Sequence, residues 1–167
     1  MRIDTTPPTR RSVLLTGAAA LLLSAPLPRV LRAEAAPSSV MKADAAYDQA
    51  RAGKITLIDI RRPEEWAETG IPDGAIALDM TQQEIFLKAL VALRKADAKK
   101  PIALICRTGN RSGRVIQILA KQGFPGLVDV AEGVAGGPRG KGWKPRGLPT
   151  DKAHITEIMT RRDKVLP

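Results

Sequence analysis

The chain has 167 residues, of which 26% are charged and only 3% are aromatic, and its formal net charge at pH 7 is +10. A chain this basic could attract nucleic acid, but its charges are scattered and its aromatic residues are too few for a base-stacking platform. We therefore expect no nucleic-acid partner, and instead a solvated basic surface that favours small anionic substrates.

The first 35 residues have the features of an export signal. Arg10-Arg11 precedes a mildly apolar stretch, residues 13–23, which is far shorter than the roughly 20 residues that a bilayer span requires. Ala33-Glu34-Ala35 supplies a small-x-small cleavage site. We expect residues 1–35 to resemble a twin-arginine signal peptide that is cleaved before Ala36, with a general secretory signal as the alternative. The mature protein would then be periplasmic, without stable membrane insertion.

Strands and helices alternate over residues 36–150, which we take as one domain. Four apolar runs predict strands at residues 55–60, 75–78, 102–106 and 127–130. Apolar residues at helical spacing, together with capping and stop residues, predict helices at 41–52, 63–70, 81–93 and 111–122. Strands separated by helices give an α/β fold with a parallel sheet that is covered on both faces.

Further predictions concern the start of the third helix, the inner face of the fourth helix and the C-terminal part of the chain. Thr81-Gln82-Gln83-Glu84 is expected to form a capping box for the third helix. The side chains expected to face the core from the fourth helix are Val115, Ile118 and Leu119. Residues 132–150 are rich in glycine and proline and should fold back on the domain, with Trp143 as an anchor. Residues 151–167 form either an outer helix or a frayed tail.

Cys106, the only cysteine of the chain, stands at the end of the third predicted strand. A polar loop follows and then a helix, so the thiol lies under a helix N-terminus, where free N–H groups and the helix dipole favour an anion such as a thiolate. Arg107 and Arg111 favour the thiolate as well and could hold an anionic substrate. A lone cysteine is often a small buried hydrophobe, but two arginines and a glycine within five residues favour a reactive thiol. The same sheet edge carries three carboxylates: Asp59, Asp79 and Asp129.

Four motifs, in this order, resemble those of single-domain rhodaneses: residues 57–66, 70–75, 106–112 and 132–149. The resemblance covers about residues 43–148 and implies a parallel sheet of four to five strands with helices on both faces. It also implies sulfurtransferase activity. The thiolate of Cys106 would take the outer sulfur of thiosulfate or a related donor as a persulfide, and a thiol or cyanide acceptor would then remove it.

The resemblance assigns roles to the residues around the cysteine. The backbone N–H groups of the loop would cradle the negative sulfur, and the residues concerned are Arg107, Thr108, Gly109, Asn110 and Arg111. The two arginines would also hold the sulfite end of the donor, while Asp59 and Arg61 would brace the loop by ion pairing. No metal or cofactor is implied, and His154 has no second ligand at metal-binding spacing. We expect a monomer.

Two alternatives stay open. A cysteine phosphatase or arsenate reductase of related architecture needs a cysteine, five residues and then an arginine. Here Ser112 occupies that position and the loop is one residue shorter, which disfavours phosphate. The other alternative is a binding or sulfur-carrier module with little turnover.

Overall fold

The computed structural model describes residues 39–151, and seven strands lie within them. In chain order they are β1 (Ser39–Met41), β2 (Thr56–Asp59), β3 (Ile71–Pro72), β4 (Ile76–Ala77), β5 (Ile102–Ile105), β6 (Leu127–Val130) and β7 (Thr150–Asp151). Five of them form a parallel sheet in the order β1-β6-β5-β2-β4, and β3 pairs with β7 in an antiparallel ribbon. The five strands agree with the predicted number.

Four helices cover the two faces of the sheet. They are α1 (Ala43–Arg51), α2 (Pro63–Thr69), α3 (Gln83–Ala96) and α4 (Asn110–Lys121). One apolar cluster joins α1 and α2 to the sheet, and a second cluster joins α3 and α4 to its other face. The predicted α/β fold with a doubly covered parallel sheet is therefore confirmed.

The position of β5 in the middle of the sheet explains why its sequence is apolar throughout. Ile102 and Leu104 belong to the cluster under α3 and α4, whereas Ala103 and Ile105 belong to the cluster under α1 and α2. Successive side chains of a strand point to opposite faces, and both faces of β5 are buried, so all four of its residues are apolar. Cys106 follows directly and is itself completely buried.

The start of the domain differs from the prediction of a helix beginning at Met41. Met41 is the last residue of β1, which pairs with β6 at the sheet edge, and α1 begins at Ala43. Three residues give no apolar run, so this strand leaves no signal in the sequence.

The predicted capping box at Thr81 was also wrong. Asp79 Oδ1 accepts hydrogen bonds from both the N–H and the hydroxyl of Thr81, each at 2.8 Å, and α3 begins two residues later.

The buried face of α4 is rotated from the predicted one. Ile118 was expected to face the core, but 49% of it is exposed, whereas Ile116 is buried. The buried residues of this helix are Ser112, Ile116 and Leu119, and Val115 is partly buried. The polar Ser112 is part of the inner face, so a pattern counted on apolar residues alone places that face wrongly.

The segment after β6 folds back on the domain, as predicted. Trp143 is completely buried, its Nε1–H donates to the Pro149 carbonyl at 2.8 Å, and its ring lies edge-on to Tyr47.

No helix within residues 39–151 is long and apolar enough to cross a membrane. The predicted signal peptide, residues 1–35, and the segment after Asp151 lie outside the described residues.

Candidate active site

Cys106 lies between the end of β5 and the N-terminus of α4, as the sequence predicts. Its Sγ accepts a hydrogen bond from the N–H of Gly109 at 3.1 Å. The loop N–H groups of Arg107, Thr108 and Asn110 have no acceptor among the described residues. They remain available to an anion beside the sulfur, which is the property of a backbone anion nest.

Gly109 is the residue on which the tight loop depends. Its φ is +82°, and a Cβ atom at this position would collide with the backbone carbonyl of Ala131. Only glycine combines this left-handed backbone with such a close approach. The segment after β6 therefore supports the loop from behind.

Two backbone hydrogen bonds join the same segment to the loop. Val134 N–H donates to the Cys106 carbonyl and Ala135 N–H to the Arg107 carbonyl, both at 2.8 Å. The chain around Cys106 is thus held before any substrate binds.

The two arginines of the loop have different surroundings. Arg111 donates to both carboxylate oxygens of Glu65 on α2, at 2.8 and 2.5 Å. This pair raises the pKa of Arg111 and holds the pKa of Glu65 below its usual value. Arg107 is exposed, and its side chain makes no hydrogen bond or ion pair to another described residue. The substrate role of Arg111 stays a prediction, since Glu65 already binds its guanidinium group.

Asp59 and Arg61 form a buried ion pair, with 2.7 Å between Arg61 Nη2 and Asp59 Oδ2. Burial raises the pKa of the Asp59 carboxyl, and the bonds from Arg61 oppose that change. Arg61 also donates to the Glu65 and Gly70 carbonyls and to the Thr69 hydroxyl. The sequence predicted that this pair braces the cysteine loop. In the structure its contacts are with α2 and Gly70 and not with the loop itself. The pair fixes α2, and α2 in turn holds Arg111.

Sequence reasoning missed a polar cluster behind the cysteine. Ser112 Oγ lies 2.7 Å from Asp129 Oδ1 and 3.5 Å from Cys106 Sγ. Arg139 binds the other Asp129 oxygen at 2.7 Å and the Gly109 carbonyl at 2.9 Å. Asp129 was recognised as a residue of the functional sheet edge, but Arg139 lies in the glycine-rich segment, where no pattern marks it.

The remaining predicted residues surround the loop. Thr108 is half-buried beside Gly137, and Asn110 lines an open groove of about 510 Å³ together with Arg139. Asp79 is not part of this cluster, because it binds Thr81 at the start of α3. Within residues 39–151 no three His, Cys, Asp or Glu side chains lie close enough to hold a metal ion.

Comparison with known proteins agrees with this geometry. The model of the rhodanese-like domain family matches residues 42–136. The chain belongs to the rhodanese-like domain family. An uncharacterized protein of Rickettsia prowazekii (strain Madrid E) is 29% identical to this rhodanese-like domain over 98 residues, 56% of this chain and 80% of that protein.

Two solved structures are also similar to the rhodanese-like domain. A rhodanese-related protein from Thermoplasma volcanium is 25% identical, with a TM-score of 0.51 over 69% of this chain and 99% of that one. A protein from M. tuberculosis is 21% identical, with a TM-score of 0.53 over 70% of this chain and 98% of that one, and it supports the fold alone.

Proposed function

We propose that this rhodanese-like domain is a sulfurtransferase that moves sulfane sulfur through a persulfide on Cys106. The donor would be thiosulfate or a similar small anion, and the acceptor a thiol or cyanide. The observation that carries the proposal is the set of N–H groups in the cysteine loop, of which one binds Sγ and three have no acceptor in the described part of the chain. A sulfur anion gains hydrogen bonds there that a neutral thiol leaves unused.

The first half-reaction begins with attack of the Cys106 thiolate on the outer sulfur of thiosulfate. A bond forms between Sγ and that sulfur, the S–S bond of the donor breaks, and the electron pair leaves with sulfite. The product is an anionic persulfide. Cyanide then attacks the outer sulfur of the persulfide, and thiocyanate leaves while the thiolate is regenerated.

Arg107 is the side chain that we assign to the sulfite end of the donor. It follows the nucleophile directly, it is exposed, and no described residue neutralises its charge. A guanidinium group matches the planar arrangement of two anionic oxygens. Arg111 instead supports the loop through Glu65.

The phosphatase alternative requires an arginine at the position that Ser112 occupies. The Ser112 hydroxyl is bonded to the Asp129 carboxylate, so a hydroxyl and not a guanidinium group occupies the place where that alternative needs its arginine. The short loop without this arginine favours a compact sulfur site.

The two activities can be compared directly with the wild-type protein and Cys106→Ser. We expect the wild type to form thiocyanate from thiosulfate and cyanide and to leave an aryl phosphate unhydrolysed. Cys106→Ser should show neither activity. Hydrolysis of the aryl phosphate without formation of thiocyanate would show that the protein is a phosphatase and not a sulfurtransferase. Absence of both activities would favour a binding module and exclude catalytic turnover with thiosulfate.

A further inference from the structure

The hydroxyl of Ser112 has one proton and three possible acceptors. Asp129 Oδ1 lies at 2.7 Å, the Gly109 carbonyl at 3.2 Å and Cys106 Sγ at 3.5 Å. A short bond to a carboxylate is charge-assisted and is stronger than longer bonds to a carbonyl or a thiol. The proton of Ser112 therefore lies towards Asp129, and Oγ presents a lone pair to the sulfur.

Asp129 is itself held in place. It is only 4% exposed, and its second oxygen binds Arg139, whose same nitrogen donates to the Gly109 carbonyl. Arg139 lies at the open groove and is partly exposed to solvent. Because Arg139 neutralises part of the carboxylate charge, it determines how strongly Asp129 attracts the Ser112 proton.

The other charged groups near the sulfur are already paired or exposed. Arg111 of α4 is bound to Glu65 of α2, and Arg61 is bound to Asp59 at the end of β2. Apart from Gly109 N–H, Ser112 is the hydrogen-bonding group that reaches Sγ among the residues described. Asp129 can therefore influence the sulfur through one hydroxyl.

We propose that Asp129 is a positioning residue that restrains Cys106: by holding the proton of Ser112, it withholds a hydrogen bond from the sulfur anion. The inference rests on the proposed function and deepens it, because the thiolate and the persulfide are the anions concerned. To bind either anion, the Ser112 hydroxyl has to break its bond to Asp129 and rotate to the sulfur, so the anion gains this hydrogen bond only at the cost of another, and Asp129 keeps Arg139 as its partner. No proton is transferred in this rotation.

The rate at which iodoacetamide alkylates Cys106 at neutral pH tests the proposal, since the reagent reacts with the thiolate. Asp129→Asn keeps the shape and the acceptor oxygen but removes the charge, so the Ser112 proton is released more easily. We expect alkylation to become about three- to ten-fold faster, which corresponds to one hydrogen bond gained by the sulfur anion. An unchanged or slower rate would overturn the proposal.

A Ser112→Ala background separates action through the hydroxyl from a direct effect of charge. If Asp129 acts through Ser112, the increase caused by Asp129→Asn should fall below about two-fold in that background. The same increase in both backgrounds would mean that the carboxylate acts on the sulfur by charge alone, and the proposal would be wrong.

Arg139→Gln keeps the test decisive if Asp129→Asn does not fold. Loss of Arg139 should strengthen the hold of Asp129 on the proton and slow alkylation. The control is Arg114→Gln, which removes the same charge from the same groove without touching a hydrogen bond of Asp129. Equal rates in these two variants would contradict the proposal. Because alkylation needs no sulfur donor, its result is independent of whether thiosulfate loads Cys106.

Discussion

Arg107 and Arg111 are four residues apart, and they differ in what binds their guanidinium groups. Arg111 is held by Glu65 in a two-point ion pair, whereas Arg107 extends from the loop without a partner among the described residues. The sequence alone gives the two arginines the same role. The contacts show that Arg111 is bound within the protein, whereas the guanidinium group of Arg107 is exposed and is the one that we propose for the donor.

Arg107→Ala should impair use of thiosulfate without affecting stability. Loss of a charge-assisted hydrogen bond to the donor costs about 1.5–3 kcal/mol, so kcat/KM should fall roughly ten- to hundred-fold. The melting temperature should not change, because the Arg107 side chain is exposed. Arg114→Ala is the control for loss of an exposed arginine near the loop. Unchanged kinetics in Arg107→Ala would remove this residue from the donor site.

Arg111→Ala should instead lower the free energy of unfolding. The change removes the ion-pair partner of Glu65, whose side chain is only 13% exposed, and leaves the carboxylate with the Arg62 N–H alone. A partly buried charge left unpaired costs about 1–3 kcal/mol, which denaturant unfolding can measure. Arg62→Ala is the matched control, because its ion pair with Glu64 is exposed and 3.9 Å long. Equal stability of the two variants would show that the Arg111–Glu65 pair does not support the fold.

The loop between β5 and α4 depends on the backbone of Gly109. Gly53 has a similar positive φ, +69°, but no atom lies within 4 Å of a Cβ atom placed there. Gly53→Ala should therefore cost about 1–2 kcal/mol for the left-handed backbone alone. Gly109→Ala should cost about 1–3 kcal/mol more, because its Cβ would displace the Ala131 carbonyl. Thermal unfolding of both variants tests the difference, and similar losses would contradict it.

Glu132 connects the segment after β6 to the start of α1 and to Arg146. Its carboxylate binds the Arg146 guanidinium at 2.6 and 2.7 Å and accepts the Ala43 N–H at 3.3 Å. The Arg146 hydrogen bonds lower the pKa of Glu132 to about 2. A lowered pKa stabilises the folded state above the unfolded pKa, and that contribution is lost as the pH falls through the folded value.

Glu132→Gln should accordingly lower the free energy of unfolding by roughly 2–3 kcal/mol at neutral pH. The difference from the wild type should shrink progressively between about pH 5 and pH 2, as the wild-type carboxylate becomes protonated. Glu84→Gln, which changes an exposed carboxylate paired with Lys88 on α3, should show both effects only weakly, because solvent screens this pair. A difference that stays constant with pH would mean that the Glu132 charge does not provide the stabilisation.

Strands that are buried on both faces were predictable from the sequence, and three of the four short strands were not. The apolar run of β5 predicts its strand because both of its faces are buried, and the run of β6 does so although Asp129 interrupts it. β1, β3 and β7 have two or three residues each, and each depends on a partner far away in the chain. A local pattern carries no information about such pairing.

The candidate site, like the fold, was predictable only where a local sequence pattern marks it. Cys106 and its loop follow from a local order of strand, glycine-containing loop and helix. The cluster behind it joins Ser112 to Asp129, 17 positions later, and Gly109 to Arg139, 30 positions later. These contacts form only when α4 and the segment after β6 meet at the sheet edge. The buried position of Ser112 also explains why the inner face of α4 was predicted incorrectly.

Export by the twin-arginine route is a prediction for the whole chain that its described residues do not address. Arg10-Arg11 and the mildly apolar residues 13–23 motivate it. Changing both arginines to lysine should almost abolish export, because the twin-arginine route requires the pair, whereas a general secretory signal tolerates lysine. Fractionation of expressing cells measures this, and undiminished periplasmic protein in the variant would contradict the twin-arginine route.

The central claim concerns the sulfur of Cys106, and the mass of the intact protein tests it most directly. With one cysteine in the chain, no second thiol of the same chain can remove a persulfide, so the added sulfur should persist until an external acceptor arrives. Thiosulfate alone should add one sulfur atom to the wild-type protein, on the peptide that contains Cys106. Cyanide should remove that atom, and Cys106→Ser should gain none. A wild-type protein whose mass stays unchanged after thiosulfate exposure would contradict transfer through a Cys106 persulfide.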